Sequence, residues 1–201
     1  MVGKALLIAY HYPPVSISSG VQRTLAFSQY LGSYDWEPIV LTVHPRAYQA
    51  ISDDQLKDIP GNLVVERAFA LDTGRHLAIG GRYLGLMAIP DRWVTWWIGG
   101  VISGLRLIRR HRPNVIWSTY PIVTAHLIGL TLSKLTGIPL VADFRDSMVD
   151  DSYPTQKRMR YVHGTVERLV LRACRFAVFT TPGAVRLYHD RYPDIPVERF
   201  R

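Results

Sequence analysis

A single cysteine, Cys174, is all the 201 residues contain, so no internal disulfide can form and the fold must hold by packing. That fits a reducing compartment, and Cys174, at the end of an arginine-rich helical stretch, reads as a packing residue. Long blocks of like charge are missing too, as are zinc-ligand spacing, a helix-turn-helix signature and an RNA-binding fingerprint, which argues against nucleic acid as a partner. The N-terminal apolar run is too short for a signal peptide and lacks a cleavage pattern. Pro113 to Ser133 has no Asp, Glu, Lys or Arg and is long enough to cross a membrane, but Ser118-Thr119-Tyr120-Pro121 cuts it into a strand and a helix. No H-E-x-x-H motif and no Cys/His cluster occur, so no metal or other bound cofactor is expected. No internal repeat, low-complexity segment or linker interrupts the chain, and residues 1–201 are expected to form one domain.

What is present is an ordinary globular composition, 48% hydrophobic and 20% charged, with a formal charge of +8. With nucleic acid disfavoured, that charge leaves an anionic membrane surface, phosphates or plain solubility.

The chain is organised around Gly3 to Tyr34. Ala5 to Ala9 is a continuous apolar run, the pattern of a strand covered on both faces. A loop with two prolines follows, and then Ser18-Ser19-Gly20. Ser19 and Gln22 have capping-box spacing, which predicts a helix from Gly20 or Val21. A helix opening just past the carboxyl end of a parallel strand turns free N–H groups toward the crevice above the sheet, where anions bind. Gly20 equally suits a bare tight turn.

Further strands are predicted over Pro38–Val43, Asn62–Ala68, Val115–Ser118, Pro139–Ala142 and Phe176–Thr180. Helices are predicted from Ile98 to the basic end Arg109-Arg110-His111-Arg112, and over Ile122–Thr136, Arg160–Ala173 and Pro182–Tyr192. Ala70 to Pro90, with four glycines, reads as a loop with broken helical turns. The alternation predicts an α/β, Rossmann-like three-layer sandwich around a mostly parallel sheet. Trp93, Trp96 and Trp97 have the spacing of one helical face, and Arg82, Arg92, Arg106, Arg109, Arg110 and Arg112 surround them. Together they suit an anionic membrane interface or a lipid-linked acceptor, while packing against the sheet is the simpler use of the tryptophans.

Four pieces in order carry a resemblance: Tyr10-His11-Tyr12-Pro13-Pro14 with Ser19-Gly20 and Arg23; Pro113 to Thr119 with His126 to Gly129; Thr136 to Asp146; and Glu167 to Thr181 with Tyr188 to Pro193. The chain resembles the N-terminal half of a retaining glycosyltransferase of family 4, one half of a GT-B fold. The resemblance implies an acceptor-binding domain. In such enzymes the second domain, with two glutamates eight positions apart, holds most of the nucleotide-sugar donor, which is a co-substrate. This chain reaches Arg201 about where the family crosses into that second domain, so the donor half is expected to be absent and the chain inactive alone. Many relatives have two glycines in the first loop, where this chain has Ser19-Gly20.

Glycosyl transfer needs the leaving diphosphate neutralised, the acceptor oriented and water excluded. Ser19 and Gly20 would allow close backbone approach, with Arg23 as a charge partner or as a solvated residue. Asp143, Arg145 and Asp146 end a predicted strand, where an open parallel sheet holds its ligands. Several family 4 enzymes have a His, often followed by Asp, at the positions of Arg145 and Asp146. An arginine is no base, so Asp146 is the expected catalytic residue, orienting the acceptor or acting as a weak base. An Arg–Asp pair bracing the loop is the other use of these two. Tyr120, at another strand end, and His126, inside a helix, complete the expected substrate-binding set; His11 is weighed with them.

The expected function is thus the acceptor half of a transferase moving a sugar from a nucleotide-sugar to a polysaccharide or lipid-linked acceptor. The expected location is cytoplasmic, with or without peripheral attachment to the inner face of the cell membrane. The alternative is a non-catalytic module that binds a glycan or a lipid phosphate. A dinucleotide enzyme is disfavoured, because no G-x-G-x-x-G follows the first strand.

Overall fold

A computed structural model describes residues 2–16, 20–150 and 152–201. Six strands form one parallel sheet: β1 (Gly3–Ile8), β2 (Trp36–Val43), β3 (Val64–Ala68), β4 (Val115–Thr119), β5 (Leu140–Asp143) and β6 (Phe176–Val178). Their order is β3-β2-β1-β4-β5-β6, and every pairing is parallel. The helices are α1 (Gly20–Tyr30), the short α2 (Thr73–His76), α3 (Thr95–His111), α4 (Val123–Thr136), α5 (Lys157–Ala173) and α6 (Pro182–Arg191). The predicted strands and long helices all form, and Ala70 to Pro90 holds only α2 and one 3-10 turn at Gly85–Ala88.

Alternation within each strand sorts side chains to the two faces. Leu6, Ile8, Ile39, Leu41, Ile116 and Leu140 enter the larger core with residues of α3 to α6. Ala5, Leu7, Val40 and Trp117 face the other way, toward Leu25, Phe27 and Leu31 in and just after α1. Because both faces are covered, the strands read as apolar runs rather than as alternating ones.

From β1 the chain adds β2 and β3 on one side, then crosses back to set β4 on the other side of β1. The strand order therefore reverses between β1 and β4, and a crevice opens above their carboxyl ends. Ile8 stands opposite Ser118 there, and Thr119 opposite Asp143.

Glycines set the spacing of α3. A Cβ on Gly100 would fall 2.5 Å from Ile128 and one on Gly104 2.4 Å from Leu132, so α4 packs directly onto the backbone of α3. A Cβ on Gly99 would fall 2.3 Å from the carbonyl oxygen of Phe69, which is backbone and cannot rotate away. Gly99→Ala is expected to destabilise the fold by about 1–3 kcal/mol, the usual range for overpacking. Gly32→Ala, which meets nothing within 4 Å, should stay within about 0.5 kcal/mol of wild type. Urea unfolding of the two variants checks this; equal stability would contradict the close approach.

Candidate functional site

Two segments after strands are held rigid where the sheet switches direction. After β1, the loop Tyr10 to Pro14 is clamped by its own aromatics. The Tyr10 hydroxyl donates to the Ala47 carbonyl at 2.9 Å, the Tyr48 hydroxyl donates to the Tyr10 carbonyl at 2.9 Å, and Arg67 donates to the Pro13 carbonyl at 2.6 Å. The Tyr10 ring packs against Tyr48, Trp93 and Trp96. Tyr10 and Tyr12 are buried, and His11 between them is left half-buried.

After β5, Asp143 is fully buried, and a buried carboxylate needs charge and hydrogen-bond partners. Arg23, in the first turns of α1, supplies both prongs of its guanidinium, Nε to Oδ2 at 2.7 Å and Nη2 to Oδ1 at 3.0 Å. Thr119, at the end of β4, adds a bond from its hydroxyl to Oδ2 at 2.9 Å. Arg23 is therefore not a freely solvated residue: through Asp143 it ties α1 to β5. A few residues on, the Met148 amide donates to the Tyr188 hydroxyl at 3.2 Å, and Tyr188 donates to buried Glu167 at 2.7 Å. Glu167 also accepts from Tyr192 at 2.6 Å and Arg191 at 3.1 Å. The Arg145 carbonyl accepts from Thr180 at 2.8 Å.

Arg145, half-buried, and Asp146, exposed, lie between these two anchors. His11 and Tyr120 belong to the same neighbourhood. Burial, aided by the Arg145 guanidinium, lowers the His11 imidazole to about 4, so it is neutral near pH 7. Burial raises the Tyr120 hydroxyl, and Tyr153 and the Asp146 carboxyl push it further up. The crevice thus combines a neutral imidazole, a guanidinium and a carboxyl group, while the Tyr120 phenol beside them is buried in the core. Such a set can orient sugar hydroxyls by donating and accepting hydrogen bonds.

The expected residues divide accordingly. Tyr120, Arg145 and Asp146 come together at the crevice, and Arg23 with Asp143 forms its buried brace. Gly20 opens α1 and is buried, while Ser19 lies outside the described residues. His126 does not reach the crevice: it is fully buried in α4, bonded through Nδ1 to the Ser118 hydroxyl at 2.7 Å and packed on the Phe144 ring. Trp96 is a second correction, because it is fully buried in the core instead of sharing an outer face with Trp93 and Trp97. Trp93 precedes α3 and is half-buried, and only Trp97 is exposed.

Two contributors lay beyond the sequence reading. Thr119 carries no signal apart from ending a strand. Asp91 accepts from the Thr124 amide at 2.7 Å and its hydroxyl at 2.9 Å, so the protein's own carboxyl group occupies the N-terminus of α4.

Arg23→Ala is expected to cost about 3 kcal/mol in urea unfolding, the low end for breaking a buried pair because Arg23 is itself 31% exposed. A loss below about 0.5 kcal/mol would make the pair no stronger than a surface ion pair. A pH effect follows from the histidines. Burial lowers His126 to about 3 and His11 sits at about 4, so both stay neutral in the fold while the unfolded chain takes up protons near its ordinary histidine value. Their stabilisation is complete above that value and is lost as the pH falls below it, by up to about 1.4 kcal/mol per pH unit for each group. Unfolding measured from pH 7 to 5 should show this slope, and His126→Gln should remove about half of it, His11 supplying the rest; an unchanged slope would contradict the burial account.

With this geometry in hand, comparison with known proteins is informative. The model of the glycosyl transferase 4-like domain matches residues 20–200. No curated protein sequence matches the chain. Among solved structures it is similar to sucrose-phosphate synthase from Thermosynechococcus elongatus, with a TM-score of 0.60 and 12% identity over 94% of this chain and 45% of that one. It is also similar to Anabaena Alr3699/HepE in complex with UDP and glucose, at 0.56 and 12% over 99% and 43%. The UDP-N-acetylglucosamine 2-epimerase of Rickettsia bellii scores 0.54 at 9% identity, over 100% and 44%. The chain spans less than half the length of these three structures, and at such identities they speak for the fold alone. Family model, strand order and layering agree: this chain belongs to the glycosyl transferase 4-like domain family and has the Rossmann-like fold of one half of a GT-B protein.

Proposed function

We propose that this chain is the acceptor-binding half of a retaining glycosyltransferase, inactive alone, and that the complete enzyme moves a sugar from a nucleotide-sugar to a polysaccharide or lipid-linked acceptor. The reading places it in the cytoplasm, peripheral on the inner face of the cell membrane. The observation that carries it is the β1/β4 switch, with His11, Arg145 and Asp146 beside the buried Tyr120, in a chain of this family. The commitment of Arg23 to Asp143 supports the division of labour. The cation nearest the start of α1 is not left to neutralise a leaving diphosphate, a task that falls to the donor-binding half. UDP and glucose in the similar HepE structure support nucleotide-sugar chemistry for the fold.

In this reading Asp146 accepts the hydrogen bond of the attacking hydroxyl, as orienting group or weak base. Arg145 and His11 fix neighbouring hydroxyls, and Tyr120 lines the floor. No metal or organic cofactor is assigned a role.

The test uses the complete gene product with labelled UDP-, GDP- and dTDP-sugars, following label into lipid-extractable and polymeric fractions. Asp146→Asn should lower kcat about a hundredfold, the lower range for acid–base assistance, with little change in stability. Turnover equal to wild type would remove Asp146 from the chemistry, and no transfer from any donor would overturn the enzymatic reading.

A further inference from the structure

Residues 73–112 contain seven arginines and one acidic residue, Asp91, and so form a strongly basic segment. Asp91 is turned inward onto Thr124. The exposed charges of this segment are therefore all positive. Arg82, Arg106, Arg109 and Arg110 are exposed and have no ion-pair partner among the described residues.

The same segment exposes large apolar side chains. Residues 79–87 are all exposed, and among them Ile79 is 89% accessible, Leu84 71% and Leu86 63%. On α3, Ile98 is 67% and Ile102 47% accessible, one turn apart on the helix. The outward stripe of α3 therefore begins apolar and ends basic at Arg106 and Arg109. The 79–87 loop is fastened beside the start of that helix. The Thr73 hydroxyl donates to the Met87 carbonyl, the Thr73 amide to the Arg92 carbonyl, and the Leu71 amide to the Thr95 hydroxyl. A helix preceding a parallel strand starts at the carboxyl rim of the sheet, and Asp91 at the N-terminus of α4 confirms that position. The loop end of the patch thus lies at the carboxyl rim of the sheet, and its basic end runs toward the amino rim.

Apolar residues exposed together and ringed by arginines need a partner that accepts both. We propose that the 79–87 loop and the outer face of α3 dock onto an anionic lipid bilayer, the loop entering the apolar boundary while Arg82, Arg106, Arg109 and Arg110 meet lipid phosphates. Charge complementarity selects the occupant: an apolar protein partner would leave four arginines unanswered, and a bilayer of anionic lipid answers both features. Among the described residues no helix is long and apolar enough to cross a membrane, so the contact is a surface one. This inference rests on the membrane placement in the proposed function but names a different surface from the tryptophan trio, of which only Trp97 is exposed. It would bring the crevice to the headgroups, where a lipid-linked acceptor presents its sugar.

The experiment is co-sedimentation of the 201-residue chain with vesicles of phosphatidylcholine alone or with about one third phosphatidylglycerol, in low salt and in about 0.5 M salt. Wild type should bind the anionic vesicles at least tenfold better than the neutral ones, and high salt should reduce that preference. Leu84→Glu with Leu86→Glu should weaken binding at least tenfold, and Arg106→Glu with Arg109→Glu should abolish the salt dependence. Tyr34→Glu, exposed on the α1 side of the sheet, should bind as wild type. Circular dichroism shows whether each variant keeps its fold. If wild type binds and the Leu84/Leu86 variant binds equally, the surface is wrong although the membrane placement stands. If wild type ignores anionic vesicles in low salt, the inference and the placement both fall. Sugar transfer to a soluble acceptor judges the transferase reading separately.

Discussion

A carboxyl group buried at the end of β5 is the constraint on which the crevice depends. Asp143 has no access to water, and its charge is tolerable only because Arg23 and Thr119 surround it. One of those partners comes from the helix after β1 and the other from the end of β4. A single desolvated group thus fixes three elements on both sides of the strand-order switch. Glu167 does the same for α5 and α6 and, through Tyr188, for Met148. The segment between these two buried carboxyl groups is held at both ends, and its middle residues, Arg145 and Asp146, are the ones left at the crevice. Fixed anchors around a short exposed segment are the arrangement a binding site needs, because positioning is set before the ligand arrives.

Charge is distributed with similar economy. Acidic groups that would neutralise the basic flank are drawn inward: Asp91 onto Thr124, and Asp72 onto Arg92 at 2.7 Å. What remains outside along α3 and the loop before it is arginine with exposed aliphatic side chains.

The fold was legible because local signals agree with it. Apolar runs bounded by Pro, Asn or Gly marked the strands, and Gly137 and the basic cluster after Ile108 marked helix ends. Gly137 indeed takes a left-handed conformation, φ 74°, after α4. The site was legible only to the level of strand ends. Arg23 and Asp143 are 120 residues apart, and nothing local pairs them. His126 carries a polar ring on a helix almost wholly covered by its neighbours, so its burial with Ser118 is decided by tertiary packing. The tryptophans divide for a related reason: α3 begins at Thr95 and turns Trp96 to the core, the simpler of their two expected uses, and leaves Trp97 outside.

The central claim is that the crevice above β1, β4 and β5 binds a sugar acceptor. Backbone amide NMR of the labelled chain, titrated with oligosaccharides released from the source cell's own envelope, tests it most directly. The account predicts saturable shifts concentrated at His11, Tyr120, Arg145 and Asp146, with the amino ends of the strands unmoved. Saturable shifts at the opposite rim, near Gly137 and Arg175, would contradict it.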